Sequence, residues 1–338
     1  MPRPVRSIDG ADAIDLPSLL AANEPVVLRG FAAHWPLVAA GREGAQRAIA
    51  YLKQFDGGRP IVGYTGEPAI GGRFFYRDDW TGLNFDAARV GLSAYLDRIA
   101  AHLDDPDAPA FYIGSTDLDT YLPGLRRDND LSLPPPTPGR AAPLASIWIG
   151  NRTIAATHYD LSNNLAVCLV GQRRFTLFPP DQVANLYPGP LEPTPGGQVV
   201  SMVDLRAPDL DRYPRFADAL GQAQVADLTQ GDVLFYPALW WHNVEALDRF
   251  NVMINYWWND APAFADSPMT TLLHAMLSLR ERPAAERAAW AAMFDHYIWR
   301  GGGDARAHLP PEVQGDLAPL DPAAARRLRA KLLQRLNR

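Results

Sequence analysis

The segment THYD, residues 157–160, sets an imidazole and a carboxylate two positions apart. On a β-strand alternate side chains share a face, so His158 and Asp160 would project together and could converge on one ion. A second histidine arriving from elsewhere would complete a 2-His-1-carboxylate set, which leaves one face of an octahedral iron(II) open for other ligands. The third candidate is His242, in GDVLFYPALWWHNVEAL, where a turn, a strand and a tight PALWW connection precede the histidine. The triplet alone is weak evidence. With 38 acidic residues in 338, seven histidines meet an acid two places on a little under once by chance. His102-Leu103-Asp104 is such a match, at the end of a predicted helix, where residues two apart do not share a face. A lone buried histidine is more often a satisfied core group than a ligand. The strand context and the pairing with His242 reverse that balance.

These residues need a β scaffold, and the surrounding sequence supplies one. From about residue 145 to 260 the chain runs through SIWIG, TIAATHYD, LAVCLVG, RRFTLFPP, GDVLFYP, HNVEAL and NVMINYWW. Many short apolar and β-branched runs separated by turns predict a sandwich or barrel. Upstream, residues 25–30 and 59–64 read as strands. Residues 85–103 read as one helix with Phe85, Val90, Leu92, Tyr95, Leu96 and Ile99 on its apolar face, and residues 109–115 return to strand. The segment SLPPPTPGRAAP, residues 132–143, is dense in proline and predicts an extended connector. Beyond residue 260 the pattern is helical. The predicted organisation is an α/β lead-in over 1–131 packing on the core, a β core over 144–260 and a helical region over 261–338.

Composition narrows the function classes. A formal net charge of −6 gives no electrostatic reason to favour nucleic acid or an anionic membrane. The single cysteine, Cys168, lies in an apolar run and cannot form an internal disulfide, so a buried small hydrophobe is expected. No stretch has the length of a membrane span and the N-terminus lacks a signal-peptide pattern, so a cytoplasmic location is expected.

The stretches HYD, GQRRFTLFPPDQVANLYPGP, DLDRYPRFADA, GDVLFYPALWWHNVEAL and NYWW occur in an order and spacing that resemble the JmjC-type cupin-like oxygenases. The resemblance is strongest to the branch containing the asparaginyl hydroxylase of hypoxia-inducible factor and its bacterial cupin-like relatives. It extends weakly upstream through VVLRGFAAHWP, RFFYRDDW and AFYIG. It implies a mainly β protein: a double-stranded β-helix (jelly-roll, cupin) core with an N-terminal α/β extension and C-terminal helices. It further implies a dioxygenase using iron(II), held by His158, Asp160 and His242, and 2-oxoglutarate as co-substrate, with hydroxylation expected over demethylation. Asn164 and Asn255 fall where the family places amides near the keto-acid end of 2-oxoglutarate, and Tyr112 where a hydroxyl reaches its distal carboxylate. Trp257 matches an aromatic beside the substrate pocket. Two positions depart from the pattern. Arg173 stands where the resembling hydroxylase has the lysine that pairs with the distal carboxylate, so either Arg173 takes that role or it passes to a reorganised pocket with Arg174 facing outward. Ala155 stands where the family has a threonine.

The expected substrate is a protein, peptide or small molecule rather than nucleic acid. Two other classes fit less of the sequence: a metal cupin enzyme independent of 2-oxoglutarate, and a binding protein on an altered oxygenase fold. Trp290, Met293, Phe294, Tyr297, Ile298 and Trp299 form an apolar set at helical spacing, for packing on the chain's own barrel or for a homodimer.

Overall fold

The structure is a computed structural model that describes residues 2–10, 13–131, 133, 140–300 and 305–337. The predicted connector over 132–143 therefore lies mostly outside the described residues. The described chain falls into two compact units, one reaching Asn259 and a helical one from Asp260 onward that includes Arg140.

In the first unit the lead-in comprises β1 (Arg3–Pro4), β2 (Arg6–Asp9), α1 (Leu16–Ala22), β3 (Val26–Arg29), α2 (Pro36–Glu43) and α3 (Ala45–Lys53). Next come β4 (Ile61–Gly66), β5 (Arg73–Phe74), β6 (Asp86–Val90), α4 (Leu92–Ala101), β7 (Ala110–Asp117) and α5 (Leu118–Tyr121). The core strands are β8 (Leu144–Gly150), β9 (Ile154–Tyr159), β10 (Asn163–Val170) and β11 (Arg173–Phe178). After α6 (Phe216–Gln222) follow β12 (Gln224–Leu228), β13 (Val233–Tyr236), β14 (Trp241–Ala246) and β15 (Asn251–Trp258).

Two facing sheets result, in the strand orders β1-β12-β11-β14-β9-β5 and β2-β3-β13-β10-β15-β8-β7-β4-β6. Strands β8 to β15 alternate between the sheets in the jelly-roll manner: β8, β15, β10 and β13 adjoin in one, β9, β14, β11 and β12 in the other. This is the mainly β, cupin-type fold with helices at both ends of the chain. The lead-in strands β7, β4 and β6 continue the larger sheet beyond β8, and β3 and β2 continue it beyond β13.

Alternation explains how one sheet serves two cores. In β10, Leu165, Val167 and Leu169 pack with the lead-in helices, while Ala166 and Cys168 face the barrel interior. In β15, Val252, Ile254 and Tyr256 join the outer core and Met253 the inner one. With both faces covered, such strands read as continuous apolar runs. On β11, Phe175 and Leu177 face inward, which by the two-residue period puts Arg173 on the same inner face. Gly171 closes the turn between β10 and β11 at φ +77°, where a Cβ would collide with the Asn251 side chain and the Phe250 carbonyl.

The predicted helix over 85–103 is corrected. Asp86–Val90 is a strand paired antiparallel with β4, and the helix begins only at Leu92, after Gly91. The apolar spacing of Phe85 and Val90 suits either element, and the free edge of β4 decides for the strand. Strand β12, only five residues long, was not read from the sequence, yet it pairs with β11 along its length.

The second unit contains α7 (Pro268–Leu279), α8 (Ala284–Phe294) running into a π-turn at Asp295–Trp299, and α9 (Pro322–Leu336). Ser267 and Asp321 cap the first and last by accepting from the backbone N–H of Met269 and Ala324. Trp290, Met293, Tyr297, Ile298 and Trp299 are exposed. Among the described residues no helix is long and apolar enough to cross a membrane.

Candidate metal centre

His158 lies near the end of β9 and Asp160 just beyond it, and His242 stands directly opposite His158 on the neighbouring β14. A register shift between His242 and Val244 follows immediately, where a bulge twists the strand and re-aims its side chains. The PALWW connection is held against the site: Leu239 N–H donates to the Asp160 carbonyl at 2.8 Å, and Ala238 N–H to Asn163 Oδ1 at 3.1 Å.

The three side chains converge. One ligand atom from each of His158, Asp160 and His242 lies within 4.8 Å of the others, and His242 Nε2 is 3.7 Å from Asp160 Oδ2. Both imidazoles are oriented by backbone. The His158 Nδ1 lies 2.8 Å from the Ala156 carbonyl and the His242 Nδ1 lies 3.0 Å from the Trp240 carbonyl. A carbonyl only accepts, so Nδ1 carries the proton in each ring and the neutral ring offers its Nε2 lone pair to a metal. Burial holds the His242 pKa down at about 4, reinforced by the neighbouring His158 and opposed by Asp160. It is therefore neutral near pH 7, the form that ligates. This donor set, two nitrogens and one carboxylate oxygen, fits iron(II).

The centre opens into a cavity of about 900 Å³ whose wall includes His158, Asp160, His242, Tyr112, Asn255 and Trp257. Asn164 is fully buried but is not part of that wall. Its amide N–H donates to the Ser162 carbonyl at 2.9 Å, and its Oδ1 accepts from Asn255 Nδ2 at 3.0 Å. Asn164 thus orients Asn255, whose own Oδ1 is buried without a hydrogen-bond partner.

Arg173 does not line the cavity; it is 2% exposed on the inner face of β11, and its Nε and Nη2 have no hydrogen-bond partner. Burial depresses its pKa, and Tyr112 and Cys168 oppose that shift. The Tyr112 pKa is pushed up by burial, with the Arg173 cation working against the rise. The next residue supplies the contrast. Arg174 points outward and uses the same two nitrogens on Asp227, at 2.7 and 3.0 Å. A guanidinium edge of this kind takes a carboxylate bidentately. Arg173 presents that edge to the interior, which fits the distal carboxylate of 2-oxoglutarate.

Several wall residues were not singled out from the sequence. Tyr236 packs its ring 4.7 Å from that of His242, and its hydroxyl lies 3.4 Å from Asn255 Nδ2. Tyr64, Phe74, Phe85, Trp148 and Met253 line the same cavity. Strand periodicity from Asn255 would have found Met253, and its cross-strand partner Trp148 needed the β15–β8 register.

Comparison with known proteins agrees with this architecture. The profile of the cupin-like domain matches residues 13–264. The human HSPB1-associated protein 1 is 35% identical over 156 residues, 45% of this chain and 31% of that protein. The lysine-specific demethylase JMJ31 of Arabidopsis thaliana is 36% identical over 104 residues, 31% of this chain and 18% of its own length. The mouse tRNA wybutosine-synthesizing protein 5 is 37% identical over 107 residues, 32% of this chain and 31% of its own. The alignments with these curated relatives span less than a third of their length. With the family profile covering most of its length, the chain belongs to the JmjC-type cupin-like domain family.

Proposed function

We propose that the chain is an iron(II)- and 2-oxoglutarate-dependent oxygenase that hydroxylates an unactivated C–H bond of a peptide, protein or small molecule. The observation that carries the reading is the pairing of two features. One is the His158, Asp160, His242 set with both Nδ1 atoms anchored; the other is the unpartnered guanidinium edge of Arg173. A metal cupin without 2-oxoglutarate would have no use for the second.

Bound there, iron(II) would supply activation of dioxygen coupled to oxidative decarboxylation of 2-oxoglutarate. The remaining work falls to the chain's own groups. The Ala156 and Trp240 carbonyls fix the two imidazoles, so the ligand geometry does not have to be assembled on binding. Arg173 would grip the distal carboxylate bidentately, with the Tyr112 hydroxyl as a further donor. Asn255, held by Asn164, would offer its amide beside the metal. The aromatic wall would exclude water and preserve the strength of these polar contacts.

The names of two relatives mention lysine demethylation and tRNA wybutosine synthesis. Demethylation begins with the same hydrogen abstraction as hydroxylation, and the two differ in the carbon attacked. Anaerobic titration with iron(II) and 2-oxoglutarate tests the core of the proposal. A visible metal-to-ligand charge-transfer band, followed by succinate on admission of air, is the expected result. Absence of the band with both saturating rejects it. We also propose that the helical unit self-associates through its exposed Trp290, Tyr297 and Trp299.

A further inference from the structure

The charges on the cavity wall limit what can enter it. Among the described residues of that wall there is no lysine, arginine or glutamate; Asp160 is the only carboxylate, and it belongs with His158 and His242 to the metal set. This is not a consequence of composition, since 21% of the chain is charged. A second cavity of about 510 Å³ in the same unit is walled by four arginines and three aspartates. The metal-side cavity is instead lined by rings in continuous contact. Tyr64 packs on Phe85 at 5.6 Å between centroids, Phe85 on Phe74 at 5.1 Å, and Phe74 on Tyr112 at 5.5 Å. Tyr112 then meets Trp148 at 5.9 Å and Trp148 meets Trp257 at 5.7 Å. Four of these six rings sit on successive strands of the larger sheet, β15, β8, β7 and β4. Three strand spacings make this ribbon about 14 Å long.

We infer that the substrate group admitted beside the metal is uncharged, apolar or aromatic, and extended along this ribbon from Trp257 toward Tyr64. This rests on the oxygenase reading for the reaction, while the binding preference stands on the wall alone. A charged group leaving water for this wall meets no counter-charge that the metal does not already use, and burial of an unpaired charge is unfavourable. Ring faces can hold a quaternary ammonium by cation–π attraction. Five tilted or edge-to-face contacts turn these rings toward one another, and apolar area is what the ribbon chiefly offers. A methylated lysine or arginine cation and a nucleic-acid phosphate are the groups this wall rejects.

The test uses probes matched in shape and different in charge, read by tryptophan fluorescence in the full chain loaded with zinc(II) and 2-oxoglutarate, so that Asp160 and Arg173 are engaged and no turnover is required. 4-Phenylbutanol is compared with 4-phenylbutylamine and 4-phenylbutanoate, and 3,3-dimethylbutanol with its quaternary isostere choline. The neutral member of each set should bind at least tenfold tighter than its charged counterparts. Phe85→Ala should weaken 4-phenylbutanol more than the shorter benzyl alcohol. Leu144→Glu adds a carboxylate at a wall position that is already 48% exposed, and should shift preference toward 4-phenylbutylamine by about threefold, as an exposed ion pair does. Equal affinity across charge, preference for choline over its neutral isostere, or no saturable binding of the neutral probes would overturn the inference. Because probe binding is read with zinc(II) in place of iron, failure here is distinguishable from failure of the charge-transfer titration.

Discussion

Replacing Arg173 by methionine should raise the stability of the metal-free protein and destroy its affinity for 2-oxoglutarate, two effects of opposite sign from one side chain. The residue is 2% exposed, and two of its nitrogens are buried without partners. Each buried donor left unsatisfied costs about 1–3 kcal/mol, so removing both should stabilise the fold by at least about 2 kcal/mol. Methionine fills a similar inner-face volume with no polar atoms. The expected rise in melting temperature is roughly 4 °C. In the complex the guanidinium would be one half of a buried charge pair, and removing one half costs about 3–5 kcal/mol. The dissociation constant for 2-oxoglutarate should therefore rise by about two to almost four orders of magnitude. Arg173→Lys keeps the charge but loses the bidentate edge, and should fall between. Scanning calorimetry of the metal-free protein and calorimetric titration of 2-oxoglutarate with manganese(II) in place of iron measure both quantities. Manganese(II) affinity itself should be unchanged. A variant that is destabilised, or that binds 2-oxoglutarate within about threefold of the parent, refutes the assignment of Arg173.

Three further outcomes are expected. Asp160→Ala should lower iron(II) affinity by more than the ~10–100-fold that changes around the ligands usually produce; equilibrium dialysis reads this, and parental affinity would remove Asp160 from the metal set. His242 titrates at about 4 in the fold against 6.5 for a free histidine, so the unfolded chain binds the extra proton between these values. The metal-free protein should thus be at full stability from this source above pH 6.5 and lose up to about 3 kcal/mol as the pH falls toward 4, a loss that His242→Gln should abolish. Parallel stability–pH curves for the two proteins would contradict the burial argument. Light scattering should give a mass near twice the 37.2 kDa chain, and Trp299→Glu should return it to the monomer; a parental monomer ends the self-association proposal.

The sequence alone determined the pairing of His158 with Asp160, because a strand's two-residue period is a local property that THYD and its apolar flanks express. The same periodicity made the long buried runs of β10, β13 and β15 legible, since strands covered on both faces carry apolar residues at nearly every position. The local pattern could not decide residues 86–90, where Gly91 and the open edge of β4 overrule an apolar spacing shared by helix and strand. Strand β12 was invisible for a related reason: QVADL is a five-residue segment with Asp227 within it, and its pairing with β11 holds it as a strand. The position of His242 opposite His158, some 80 residues away, belongs to strand register. Which of two adjacent arginines faces inward was likewise settled by the pairing of β11 between β12 and β14, which sends Arg174 out to Asp227 and leaves Arg173 inside. The aromatic ribbon is the most tertiary feature of all. Its six rings lie on four strands of the larger sheet and on two segments outside it, spread over nearly 200 residues, and the ribbon exists only because the lead-in strands extend the same sheet as the core.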